Sequence, residues 1–197
     1  MKPLVTNEAP DFTATAVMPD NSFNEEFKLS DMRGKYVLLF FYPLDFTFVC
    51  PSEILAFNSA VEQFKEKNCE VVGVSVDSHF SHLAWKNTPV NQGGIGDIQF
   101  PLVADLDKSI ADNYGVLFGG AIALRGLYLI DKEGIIRHQV VNDLPLGRSV
   151  SEAMRMLDAI QFTEEHGDVC PANWNKGDDA MEPSAEGVAR YLTDHVA

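Results

Sequence analysis

Phe40-Phe41-Tyr42-Pro43-Leu44-Asp45-Phe46-Thr47-Phe48-Val49-Cys50-Pro51-Ser52-Glu53 carries an apolar run into a thiol and then into a proline that opens a helix. The run begins at Val37. Val37 to Tyr42 (VLLFFY) shows no polar alternation, the pattern of a strand buried on both faces at the central position of an α/β sheet. Pro43 ends that strand. Pro51, with its fixed φ and missing N–H, suits the first turn of a helix. Ile54, Phe57, Val61 and Phe64 then give that helix one apolar face as far as about Lys67. The spacing therefore places Cys50 at a helix N-terminus.

A thiol in that position feels unpaired backbone N–H groups and the positive end of the helix dipole, both of which favour thiolate over thiol. Thr47, three residues earlier, can offer its hydroxyl to the sulfur or to a bound oxygen, and Pro43 can wall off water. The competing reading is structural. Cysteine is among the most buried residue types, and for an isolated Cys after Phe-Thr-Phe-Val a place in the core is the stronger expectation.

Three features shift that balance. The order Pro43, Thr47, Cys50, followed by Pro51 and Glu53, resembles the P-x-x-x-T-x-x-C signature of the peroxiredoxins, and the longer FYP-LDFTFVCP-E string is more specific than that core. Val169-Cys170-Pro171-Ala172-Asn173-Trp174 resembles the resolving-cysteine segment of the typical two-cysteine subgroup. Arg125, in Ala123-Leu124-Arg125-Gly126-Leu127-Tyr128, stands where the family carries its active-site arginine. The resemblance covers essentially the whole chain and lies nearest the C subunit of bacterial alkyl hydroperoxide reductases and thioredoxin peroxidases. It implies an α/β, thioredoxin-like fold with an N-terminal hairpin and a C-terminal arm.

The 197 residues fit one domain, and 46% hydrophobic residues is ordinary for a globular chain. We expect 1–165 to form the peroxidase domain and 166–197 an arm of the same structural unit, bearing the resolving cysteine. A formal charge of −14, from 29 acids against 15 bases, argues against nucleic acid or an anionic membrane surface as a partner. The start of the chain has no apolar core of signal-peptide length, and no run approaches a membrane span, so a cytoplasmic location is expected. Three cysteines, at 50, 69 and 170, make neither a C-x-x-C pair nor an even disulfide framework. His166 and Cys170 lack a second close pair for a closed zinc site, so no metal is expected. Cys69 opens a strand without a helix start beside it and reads as structural.

Along the rest of the chain, Asp11 to Met18 and Phe23 to Leu29 read as a hairpin decorating the N-terminus, and Val71 to Asp77 as a second buried strand parallel to the first. His79 to Asn87 reads as a short helix, Leu102 to Asp105 as a strand and Asp107 to Tyr114 as another short helix. Gly126 to Asp131 and Ile135 to Val141 form a second hairpin across Lys132-Glu133-Gly134. Ser149-Val150-Ser151-Glu152 is a capping box opening an amphipathic helix to about Glu165. His166 to Gly177 reads as an exposed loop, and Ser184 to His195 as a last helix. His79, His82 and Trp85 are read as packing or solvated-face residues, except that the family keeps a tryptophan near the active site where Trp85 stands.

The resemblance implies reduction of hydrogen peroxide and organic hydroperoxides by Cys50, through a sulfenic acid that Cys170 of a partner chain resolves as a disulfide. It places Pro43, Thr47 and Arg125 around the sulfur, with Glu53, Arg148 and Trp85 in support. It also implies thioredoxin or a flavoprotein disulfide reductase as reductant, and a homodimer assembling as a ring of five dimers. No metal, flavin or haem motif is visible and no cofactor is needed, because sulfur carries the redox change. Peroxide-sensitive relatives resemble one another in a Gly-Gly-Leu-Gly loop and a Tyr-Phe pair on the last helix. Here the corresponding residues are Gly93, Gly94, Ile95 and Gly96, then Tyr191 and Leu192, which implies an intermediate sensitivity to overoxidation. The rival readings are a cysteine hydrolase, for which none of the five histidines stands in a base signature, and an oligomeric holdase or peroxide sensor on the same scaffold.

Overall fold

The computed structural model describes residues 3–195. It divides into two compact units, one ending at Val150 and the other beginning at Ser151.

The first unit is built on a seven-stranded sheet of order β2-β1-β5-β4-β3-β8-β9. Its strands are β1 (Thr13–Val17), β2 (Phe23–Lys28), β3 (Tyr36–Phe41), β4 (Cys69–Ser75), β5 (Leu102–Ala104), β8 (Arg125–Ile130) and β9 (Ile136–Asn142). A separate two-stranded ribbon, β6 (Leu117–Phe118) with β7 (Ile122–Ala123), was not anticipated from the sequence. The apolar run is β3, and every one of its residues is buried. It pairs in parallel with β4 and antiparallel with β8, one place from the middle of the sheet. Its side chains serve two cores, because strand neighbours point to opposite faces. Val37, Leu39 and Phe41 join Val72, Val103, Tyr114 and Tyr128 on one side. Phe40 stacks on Phe57 at 4.8 Å and meets Phe100 edge-on at 5.6 Å on the other.

The N-terminal hairpin is not decoration. β1 pairs antiparallel with β5, so the hairpin extends the main sheet and β2 becomes its edge. The two-residue alternation in TATAV supplied that possibility, but pairing with a strand about 90 residues away in sequence is a tertiary outcome that local pattern does not encode. Gly134 turns the second hairpin at φ +85°, a conformation that glycine adopts without a Cβ penalty.

The single helix expected from Pro51 to Lys67 is two, α1 (Cys50–Ser59) and α2 (Val61–Glu66), separated at Ala60. There the ladder tightens, with Ala60 N–H donating to Phe57 O at 3.1 Å, while the Ser59 hydroxyl donates back to Leu55 O at 2.9 Å. Back-bonding of this kind bends helices. The apolar face survives, with Ile54, Phe57, Val61 and Phe64 all buried. The remaining helices of this unit are α3 (His79–Lys86), capped by the Ser78 hydroxyl accepting from Ser81 N–H, and α4 (Ser109–Asn113).

The second unit holds α5 (Val150–His166) from its second residue onward and α6 (Ala185–His195), the latter capped by Ser184 Oγ accepting from Gly187 N–H at 3.0 Å. The segment between them is more ordered than an exposed loop. Val169 and Met181 form an antiparallel bridge, and Trp174, at 2% exposure, packs against Phe162 with ring centroids 4.9 Å apart. A lone tryptophan among Gly, Pro and Asn is the signal that composition alone submerged. Among the described residues no helix is long and apolar enough to cross a membrane.

Candidate active site

Cys50 is the first residue of α1 and is fully buried. It stands there because Pro43 stops β3 and the loop through Val49 returns the chain to the end of the sheet, where Pro51 starts the helix with φ already set. Pro43 is itself buried at the start of that loop.

Among the described residues two side chains reach the sulfur. Thr47 Oγ1 lies 3.0 Å from Sγ and also 2.8 Å from Leu44 O. A hydroxyl has one proton, so the two contacts alternate in sense. With a thiol, the S–H donates to Oγ1 while the hydroxyl donates to Leu44 O; with a thiolate, the hydroxyl turns its proton to sulfur. Arg125, the first residue of β8, donates from Nη1 to Sγ at 3.4 Å.

Arg125 is also an ion-pair partner of Glu53. The same Nη1 donates to Glu53 Oε2 at 2.6 Å, and Nε donates to Leu144 O at 2.6 Å. Arg148 closes the group. Its backbone N–H and Nε donate to Glu53 Oε1 at 2.8 and 2.7 Å, and Nη2 donates to Oε2 at 3.0 Å. Nη1 reaches Phe41 O at 2.8 Å and Gly126 O at 2.5 Å, tying the guanidinium to β3 and β8 at once. All three charged side chains are at most 4% exposed. One carboxylate against two guanidiniums leaves a surplus positive charge, and Arg125 directs it at Sγ.

Burial alone would raise the Glu53 carboxyl, but the hydrogen bonds and charge of Arg148, with Arg125 behind them, outweigh it and hold the group below its ordinary value. A carboxyl depressed in the folded state stabilises fully above its unfolded pKa, and that contribution is lost as pH falls through the lower folded value. Glu53→Gln is therefore expected to cost about 2–3 kcal/mol at neutral pH and to flatten the acid limb of stability against pH. Denaturant midpoints measured from neutral pH downward check this. An acid limb as steep as in the wild type would assign acid unfolding to other carboxylates.

Trp85 sits on α3 beside the loop. Its ring lies 5.8 Å from Phe46 and 6.0 Å from Tyr42, and its Nε1–H donates to Gly93 O at 2.8 Å. The Gly93-Gly94-Ile95-Gly96 loop is thus tied to the helix. Gly94 admits no side chain, since a Cβ there would fall 1.8 Å from Thr88 O.

The other two cysteines have different surroundings. Cys69 is buried in β4, and desolvation pushes its thiol up to about 12, which leaves it unreactive. Cys170 lies in the second unit, partly exposed, with its thiol facing Ala159 O at 3.8 Å; partial burial raises it above the ordinary thiol value. Tyr191 and Leu192 also belong to that unit, on α6, and Leu192 is 47% exposed.

Sequence reading overlooked a polar cluster behind the loop. Asp45 and His82 are both buried, and His82 packs inside rather than facing solvent. An aspartate inside an otherwise apolar string was the available signal.

A family model described as "AhpC/TSA family" matches residues 5–139, and one described as "C-terminal domain of 1-Cys peroxiredoxin" matches 159–194. The chain is 55% identical to peroxiredoxin-1 of Gallus gallus, over 98% of this chain and 96% of that protein. It is 57% identical to alkyl hydroperoxide reductase C of Helicobacter pylori, over 98% of each. The reduced 2-Cys peroxiredoxin of Plasmodium vivax superposes with a TM-score of 0.96 at 55% identity, covering 98% of this chain and 100% of that one. The buried thiol at a helix start, its threonine and its arginine thus belong to a member of the AhpC/TSA family, a peroxiredoxin and so a thiol peroxidase.

Proposed function

We propose that Cys50 is the thiol that reduces peroxide and Cys170 the thiol that resolves it. The observation that carries this reading is the convergence of Thr47 Oγ1 and Arg125 Nη1 on one buried sulfur at a helix N-terminus. The Cys50 thiolate attacks one peroxide oxygen, the O–O bond breaks, and its electron pair leaves with the other oxygen, which takes a proton to become water or an alcohol. The sulfur, oxidised by two electrons, is a sulfenic acid. Negative charge grows on the departing oxygen, where the cation and the helix-start N–H groups stabilise it. Cys170 then condenses with the sulfenic acid, releasing water and forming a disulfide.

The disulfide joins two chains in this reading, and thioredoxin or a flavoprotein disulfide reductase returns it to the dithiol. Assembly into a homodimer and a ring of five dimers belongs to the same reading; the exposed edge-on pair of Phe80 and Phe23, ring centroids 5.8 Å apart, offers apolar surface to a second chain. A cytoplasmic location belongs to the same reading, since a disulfide that is reduced again in every cycle needs a reducing compartment. After one equivalent of peroxide, non-reducing electrophoresis is expected to show a covalent dimer that disappears in Cys50→Ser and in Cys170→Ser. An oxidised species migrating as monomer would place the bridge within one chain.

Gly93, Gly94, Gly96, Tyr191 and Leu192 set the overoxidation threshold. The first turn of α1 must unwind before Cys50 can meet Cys170, and every moment it stays folded exposes the sulfenic acid to more peroxide. Leu192 in place of an aromatic residue forfeits edge contacts worth about 1 kcal/mol. Leu192→Phe should overoxidise at lower peroxide, and truncation before Tyr191 only at higher peroxide, read as Cys50 sulfinate by mass spectrometry. An identical dose response in all three proteins would show that the tail does not gate the switch.

A further inference from the structure

The loop that presents Cys50 is held from behind by a buried hydrogen-bonded cluster that the peroxidase chemistry above does not use. Asp45 Oδ1 accepts from the Tyr42 hydroxyl at 3.0 Å, Oδ2 faces His82 Nδ1 at 2.8 Å, and the Asp45 backbone N–H donates to Asp77 Oδ2 at 2.7 Å. On the far side of the ring, His82 Nε2 faces Val103 O at 3.2 Å. The His82 and Asp45 side chains are 0% and 2% exposed. A carbonyl only accepts, so Nε2 carries a hydrogen, and a second hydrogen lies between Nδ1 and the carboxylate. Every polar atom of the pair is then satisfied, which is the condition for keeping such a pair in a dry interior.

What the cluster holds is the approach to the sulfur. Phe46, the next residue, has φ +53°, a left-handed conformation that costs a bulky residue energy unless its surroundings impose it. Its ring lies against Trp85, one turn along α3 from His82. α3 therefore grips two successive loop residues, one by its carboxylate and one by its ring. The residue that follows is Thr47, whose Oγ1 is 3.0 Å from Cys50 Sγ.

We propose that His82 and Asp45 are positioning residues for peroxide reduction: the pair clamps the loop to α3 and thereby fixes Thr47 against the Cys50 sulfur. This rests on Cys50 being the attacking thiol. Because it acts through Thr47 at the sulfur, the clamp bears on the first chemical step.

The test uses the full-length reduced protein in single-turnover stopped flow, with hydrogen peroxide as the probe and sulfenic acid and disulfide formation resolved as separate phases. Asp45→Ala and His82→Ala should slow the first phase on the order of tenfold to a hundredfold, the scale of a misplaced reacting group. The disulfide-forming phase should be unchanged or faster. Asp45→Asn should recover most of the lost rate, because its amide can donate to a neutral His82 Nδ1 while its oxygen still accepts from Tyr42. In the double variant with Thr47→Val, Asp45→Ala should add little to the effect of Thr47→Val alone, since it acts through that hydroxyl. His82→Asn, a milder change that still donates to Asp45, replaces the alanine variants if circular dichroism shows them unfolded. Wild-type first-phase rates in a folded Asp45→Ala or His82→Ala protein, additive effects with Thr47→Val, or an Asp45→Asn protein as slow as Asp45→Ala would each overturn the clamp. Peroxide consumption surviving in Cys50→Ser would instead overturn the assignment of the attacking thiol on which the clamp depends.

Discussion

Cys50→Ser is expected to remove peroxide consumption from the reduced protein, by a factor on the order of 10⁶, the scale on which loss of a nucleophile acts in a well-studied hydrolase. A serine hydroxyl at this helix start remains protonated at neutral pH and is a poor nucleophile toward an O–O bond, whereas a thiolate is soft and strongly nucleophilic. Neither remaining thiol can substitute. Cys69 is locked in β4 with its thiol pushed up to about 12, and burial also raises Cys170, which stands on the other unit of the chain. Cys69→Ser should leave the rate unchanged. Stopped-flow consumption of hydrogen peroxide by the two single variants makes the comparison directly. Wild-type consumption by Cys50→Ser would move the chemistry to another thiol.

Arg125→Met should slow sulfenic acid formation on the order of 10²- to 10³-fold, the cost of losing one preorganised donor at a developing charge. Methionine keeps much of the length and apolar stem but removes the cation that lies 3.4 Å from Sγ. Glu53 would still accept three hydrogen bonds from Arg148, so the fold should hold even though the net charge of the group falls to zero. Arg125→Lys should recover little, because one ammonium cannot reproduce the planar fork that contacts Leu144 O, Glu53 and the sulfur together. Circular dichroism separates a rate effect from misfolding. A folded Arg125→Met protein at wild-type rate would reduce Arg125 to an ion-pair partner.

Much of this architecture was legible because the determinants are local. An uninterrupted apolar run specifies a doubly buried strand, two prolines bracket a loop, and the spacing from Pro43 through Thr47 to Cys50 places a threonine one turn from a thiol that begins a helix. Those features depend on backbone sterics and short-range hydrogen bonds, which the order of residues fixes by itself.

What the order of residues left open is every choice between distant partners. The alternating TATAV strand could have stayed a lone hairpin, and pairing with β5 decided otherwise. Glu53 could have met any cation, yet only the folded chain brings Arg125 and Arg148 to the same carboxylate, because β8 runs beside β3 and the chain after β9 returns over the start of α1. Asp45 and His82, 37 residues apart, read singly as a loop acid and a packing histidine; their 2.8 Å contact exists only where α3 crosses behind the loop. Charge pairing and burial depend on which surfaces the sheet order juxtaposes, and that order is settled by the packing of the whole chain rather than by any one stretch of it.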